Sequence, residues 1–110
     1  MVALLDKMLS GLGLCAKAGR LIIGVPMVCE ALRRKEAVRL VIEAADTSDN
    51  THKKLCDKCD FYKVEKIKIE ADGGLLASAV GKSAVIGAVA ITDEGLAQMI
   101  KKLLGSQTEA

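Results

Sequence analysis

Two runs of this chain, VRLVIEAA at 38–45 and AVIGAVAI at 84–91, are apolar at most consecutive positions rather than at every second one. Successive strand residues point to opposite faces, so strands of this kind need cover on both sides. A sheet built on them requires helices on both faces, and the segments between them supply helical patterns.

Leu4, Leu5, Met8, Leu12 and Cys15 recur at helical spacing and predict a first helix over 2–17, closed by Gly19. The short apolar piece LII at 21–23 opens an alternation of strand and helix. Pro26 suits the first turn of a helix, where its missing N–H has no partner to lose, and Val28, Ala31 and Leu32 form an inward face over 26–34. After the strand at 38–45, DTSDN turns the chain. Ser48 or Asp49 can then cap THKKLCDKCDFYK, with Leu55, Cys59 and Tyr62 on one side. VEKIKI at 64–69 alternates as a half-exposed strand. LLASAV makes a short helix ended by Gly81, AVIGAVAI follows as the last strand, and Thr92 is the expected cap of DEGLAQMIKKLL. The expectation is an α/β fold: a three-layer α/β/α sandwich around a small four-stranded mixed sheet, one domain over 1–104 with a frayed tail at 105–110.

A chain of 110 residues buries one core. Its longest apolar run is far short of the roughly 18 residues of a membrane span, and the N-terminus lacks the basic cluster of a signal peptide. A cytoplasmic setting with no membrane partner is expected, and with it reduced thiols at Cys15, Cys29, Cys56 and Cys59. The net charge of +2 is unevenly spread. Residues 15–39 hold six bases against two acids, whereas residues 40–80 hold six against eight. One Tyr, one Phe and no Trp leave no aromatic sheet platform of the kind that stacks single-stranded bases.

Cys56 and Cys59 have the spacing of a metal or redox pair, with His52 nearby in sequence. The pair falls about two turns inside a helix, away from the N-terminus that would stabilise a thiolate, so buried small hydrophobes are the better reading. His52, the only histidine, is expected in an exposed first turn with no nucleophile placed near it by local sequence. Phosphate-loop and dinucleotide signatures are absent. Neither an enzyme nor a cofactor nor a bound metal is expected. Arg33, Arg34 and Lys35 close the second helix, where positive charge is favoured by the helix dipole and also available to an anionic partner.

LGLCAKAGRLIIG (12–24), AVRLVIEAADTSDNT (37–51), LCDKCDFY (55–62), AVGKSA (79–84) and AVAITDEGLA (88–97) resemble, in unbroken order, the kink-turn RNA-binding family of ribosomal proteins. That family is typified by archaeal large-subunit protein seven and eukaryotic protein thirty, and the likeness is greatest to its small bacterial YlxQ-type branch. The resemblance implies an α/β/α sandwich and an RNA site made from the start of the second helix and the loop before the last strand. The family pattern at the helix is Gly, a polar residue, Glu, two variable positions, Lys and Ala. Gly24 and Ala31 match it, while Pro26, Met27 and Glu30 replace the polar residue, the Glu and the Lys. Pro26 and Met27 cannot hydrogen-bond base edges, and Glu30 repels a phosphate.

The resemblance therefore implies contact with structured RNA mainly through phosphates, with the standard kink-turn readout compromised. The expected site comprises Arg20, Gly24, Val25, Pro26, Met27, Glu30, Arg33, Arg34, Lys82, Ser83, Ala84 and Val85. Ribosomal or other structured RNA is the expected partner of a monomer, with ribosome-associated proteins as further partners. The competing reading is a protein-interaction module that uses Val25, Pro26 and Met27 as an apolar patch, and a weaker one centres on Cys56 and Cys59.

Overall fold

The computed structural model describes residues 2–34 and 37–108; Lys35, from the basic run, and residues 109–110 of the expected tail lie outside them. The elements alternate as α1 (Val2–Lys17), β1 (Leu21–Ile23), α2 (Val25–Arg33), β2 (Leu40–Glu43), α3 (Asp49–Tyr62), β3 (Lys66–Lys68), α4 (Gly73–Ala79), β4 (Ala88–Ile91) and α5 (Glu94–Thr108). The strands form one mixed sheet in the order β1-β4-β2-β3. β4 runs antiparallel to both β1 and β2, and β2 runs parallel to β3.

The pattern read from the two apolar runs has a direct structural counterpart. Every residue of β2 and of β4 is buried. Leu40, Ile42, Val89 and Ile91 point to one face, where Met8 and Leu12 of α1, Leu76 of α4 and Ile100 of α5 cover them. Val41, Ala88 and Ala90 point to the other, under Val28, Ala31 and Leu32 of α2 and Leu55 and Cys59 of α3. The sheet is thus the middle of three layers.

The helix ends explain where the boundaries fall. The Ser48 hydroxyl accepts from the Thr51 N–H at 3.2 Å and the Asp72 carboxylate from the Leu75 N–H at 2.9 Å, starting α3 and α4. Capping by Asp72 draws Gly73 and Gly74 into α4, two residues ahead of the expected start. Asp93, not Thr92, caps α5: its carboxylate accepts from the Leu96 N–H at 2.9 Å, while the Thr92 N–H donates to the Arg20 carbonyl and so still serves the sheet. α5 continues through residues 105–108, which the sequence pattern set apart as tail. The strands are shorter than their apolar runs. β2 is confined to Leu40–Glu43, and β4 starts at Ala88 because residues 84–87 form the loop that leads into it. Apolarity marks burial, and loop residues such as Ile86 are buried too.

Ile91 is fully buried and pairs with both Leu21 and Leu40. Truncating it to Ala removes contacts on the three-helix face and should lower unfolding free energy by about 2–5 kcal/mol in urea denaturation, with an unchanged m-value.

Candidate functional site

Three chain segments meet at the edge of the sheet where β1 and β2 end and β4 begins. Gly24, between β1 and α2, has φ 98°, a conformation that strains any side chain. Its N–H donates to the Ala88 carbonyl at 2.9 Å, which ties the start of α2 to the start of β4. A Cβ on Gly87 would lie 2.9 Å from Val25 Cγ2 and 3.3 Å from Thr47 Cγ2. Helix start, β4 entry and the β2–α3 loop therefore pack against one another at Gly87. Val85 lies against Gly73 at the start of α4, and the Gly73 N–H donates to Asp46 of the β2–α3 loop at 2.9 Å.

The rim of this edge is apolar and faces water. Pro26 is exposed, Met27 is 58% exposed and Val85 74%. No side chain caps α2, and Pro26 has no N–H, so the N–H groups of Val25 and Met27 are the helix start's open donors. The edge can accept an anionic or carbonyl oxygen at these groups and a flat apolar surface against the rim.

The basic residues of the expected site stand elsewhere. α2 rises about 1.5 Å per residue, which puts Arg34 roughly 15 Å along the helix from Gly24. Arg20 precedes β1, its carbonyl accepting from the Thr92 N–H at 3.0 Å just beyond β4, so it marks the far edge of the sheet. Lys82 sits at the C-terminal end of α4, its N–H on the Ala77 carbonyl at 2.8 Å, with Ser83 and Ala84 exposed between it and Val85. Of the twelve residues, Arg20, Arg33 and Arg34 thus stand away from the apolar rim around Gly24, while Lys82 precedes the rim residue Val85 by three positions.

Glu30 changes the character of the basic group on α2. Its carboxylate accepts from Arg33 Nη2 at 2.5 Å and Arg33 Nε at 3.2 Å, and Arg34 Nε lies 3.1 Å away. The Arg33 hydrogen bond, helped by both positive charges, holds the Glu30 carboxyl below the usual carboxylate range. Glu30 occupies the seat between two guanidiniums that a phosphate would take. The i,i+3 and i,i+4 spacing is the sequence signal for this clamp.

A second polar group carries no recognisable sequence signal. Glu43, in the middle of an apolar run, is fully buried. Lys66 Nζ donates to its carboxylate at 2.7 Å, His52 Nδ1 at 2.9 Å, and the Thr47 hydroxyl also donates to it. Burial pushes the Glu43 carboxyl up, but these donors outweigh it and hold the group below its ordinary value. Burial likewise pulls Lys66 down, and its hydrogen bond to Glu43 leaves it above the ordinary lysine value. His52 lies near the start of α3 with its imidazole 42% exposed, and there it joins β2 to α3. Contrary to the expectation that no nucleophile stands near it, Cys56 Sγ lies 3.6 Å from its Nε2, because a residue four positions on falls on the same helix face.

Through His52 and Lys66 the buried carboxylate links β2 to α3 and β3. Among the described residues, no group of three His, Cys, Asp or Glu side chains is placed to hold a metal ion. Cys59 is buried, and burial pushes its thiol up to about 11, which keeps it protonated at neutral pH. Among the described residues, no helix is long and apolar enough to cross a membrane.

Comparison with known proteins places this geometry in context. The model of the ribosomal protein L7Ae/L30e/S12e/Gadd45 family matches residues 6–101. The RNA-binding protein YlxQ of Bacillus subtilis is 39% identical over 93 residues, covering 84% of this chain and 90% of that protein. The RNA-binding protein YlxQ of Enterococcus faecium is 31% identical over 99 residues, covering 90% and 92%. Among solved structures, a Bacillus halodurans protein of unknown function superposes with a TM-score of 0.81 at 32% identity, over 90% of this chain and 97% of that one. The Giardia lamblia 15.5 kD RNA-binding protein shares the fold, with a TM-score of 0.75 at 20% identity over 94% and 87%.

The Glu43 cluster has a defined pH window. The stability contributed by its carboxylate is present above the unfolded value near 4.5 and is lost as pH falls through the lower folded value. That of Lys66 is present below the unfolded value of 10.5 and is lost as pH rises through its higher folded value. Glu43→Gln should lower stability by about 1–3 kcal/mol at neutral pH and flatten the acid limb of a stability–pH curve measured by urea denaturation. An unchanged acid limb would show that other carboxylates govern it.

Proposed function

The chain belongs to the ribosomal protein L7Ae/L30e/S12e/Gadd45 family, and from that premise we propose that it binds structured RNA in the cytoplasm as a monomer and catalyses no reaction on it. The observation that carries this reading is the likeness over nearly the whole chain to two bacterial proteins described as RNA-binding. The geometry supports it at the α2 edge, where open N–H groups and an apolar rim face solvent beside Gly24. An apolar rim alone would suit a protein partner equally well; the relatives' RNA-binding descriptions favour RNA.

Base-edge recognition by the second helix is weak in this reading, because Pro26 and Met27 carry no polar side-chain atom able to contact a base edge. Phosphate contacts by Arg20, Arg33, Arg34 and Lys82, together with the backbone donors, supply most of the affinity. The RNA is ribosomal or similarly folded, and proteins bound to the same RNA are the natural neighbours.

Binding to a folded RNA should weaken as salt rises. Replacing Arg33 and Arg34 together by Ala should flatten the slope of log K against log salt by about 1–2. Absence of salt-dependent binding at low ionic strength would falsify the proposal. Preference for a kink-turn over an unkinked duplex should be small in the natural sequence and should rise when Pro26→Asn, Met27→Glu and Glu30→Lys are combined. No gain after that exchange would mean that residues beyond these three govern recognition.

A further inference from the structure

The site just proposed draws on both ends of α2, and the end closed by Arg33 and Arg34 has further surroundings. β1 and β2 both run antiparallel to β4, so they are parallel to each other, and α2 and α3 follow them back across the same face. The C-terminal ends of the two helices lie together at the far edge of the sheet. Tyr62 packs into the core cluster shared by α2 and α3. Phe61 stands edge-on to it, with ring centroids 4.9 Å apart and an interplanar angle of 86°, and is 77% exposed. These are the chain's only two aromatic residues.

The surroundings of the rings are charged. Arg33 and Arg34 close α2, Lys63 closes α3 at φ 59° and is exposed, and acids stand among them, Glu30 on α2 and Asp57 and Asp60 on α3. Arg33 follows Leu32, against whose cluster Tyr62 packs, which puts the end of α2 and the ring in one neighbourhood. An exposed ring supported from behind by a second ring offers an open face to a planar group. The guanidiniums at the adjoining end of α2 offer donors to an oxyanion. An unpaired nucleotide carries both, a base to stack and a phosphate to pair. A protein partner could use the ring's apolar area and offer a carboxylate to the arginines; the RNA-binding descriptions of the relatives favour a nucleotide.

We propose that the joined C-terminal ends of α2 and α3 form a second RNA-contact surface, where Phe61 stacks an unpaired base and Arg33 and Arg34, exchanged from Glu30, hold its phosphate. This rests on the RNA-binding reading above and adds a substrate class to it: a folded RNA with an unpaired nucleotide beside its paired stem. Glu30 acts there as a resident competitor. It keeps the two guanidiniums oriented in the free protein and lowers their attraction for isolated phosphates.

The test compares one RNA hairpin with and without a short unpaired extension, using the full chain. Tyr62 is the only tyrosine and there is no Trp, so its fluorescence reports on this surface. The natural protein should bind the extended hairpin about fivefold tighter or better, with Tyr62 quenching. Phe61→Ala and Phe61→Leu should erase that preference while leaving affinity for the bare hairpin unchanged, and Phe61→Trp should keep it. Glu30→Gln should strengthen binding of the extended hairpin and steepen its salt dependence. Phe61 is exposed, so these variants fold, and circular dichroism checks this. Equal affinity for the two hairpins in the natural protein overturns the second surface and leaves the RNA-binding reading standing. A preference that survives Phe61→Ala or Phe61→Leu overturns stacking on this ring. Failure to bind even the bare hairpin removes the RNA-binding reading and this surface with it.

Discussion

Pairing of β2 with β4 is the constraint on which the rest of this structure depends. These two strands occupy the middle of the sheet, every one of their residues is buried, and their side chains alternate between two separate cores. Neither strand has a face that could be left to water. The helices must therefore divide, with α1, α4 and α5 on one side and α2 and α3 on the other. That division brings the ends of α2 and α3 side by side. It also turns their N-terminal ends toward the edge where β4 begins, so both surfaces discussed above follow from it.

Among the described residues Glu43 is the one buried charged residue, and it is tolerated because it is answered from three elements. Its carboxylate is met by Lys66 from β3, His52 from α3 and Thr47 from the intervening loop. A buried charge with those donors costs little, and the same charge without one of them would be strongly destabilising. Cys56 and His52 look like parts of a reactive group when distance alone is considered. Their place in the fold is beside the Glu43 contacts that link β2, α3 and β3.

The charges on α2 act in the opposite way to those around Glu43. Glu30, Arg33 and Arg34 are exposed, their contacts are weak in water, and each can exchange partners. An exposed clamp of this kind contributes little to the fold and is free to be remodelled by a ligand. Helix ends supply the rest of the chemistry: open N–H groups and an apolar rim at the start of α2, and guanidiniums with an exposed ring where α2 and α3 finish. The sheet fixes the distance between these two ends, so an RNA touching both must present its features with a matching separation.

Much of the fold was legible in the chain itself. The two-sided strands, the helical spacing from Leu4 to Cys15, the caps at Ser48 and Gly19 and the start at Pro26 are local signals, and each acts over a turn or a strand length. The family pattern around Gly24 pointed to the start of α2, where a φ of 98° favours glycine. Other features depended on contacts between residues far apart in sequence. Thr92 and Asp93 are both plausible caps until the sheet claims the Thr92 N–H. Residues 84–87 look like strand until β4 is seen to begin at Ala88. Glu43 could be recognised as satisfied only once Lys66 lay across the sheet from it, and Phe61 as part of a surface only once α2 and α3 ran back together. The sequence by itself determined which segments are helix or strand and that both faces of the sheet are covered, since those depend on periodicity and apolarity. The tertiary structure alone decided which side chains meet at the helix ends, because strand order and helix direction set those meetings and no local pattern records them.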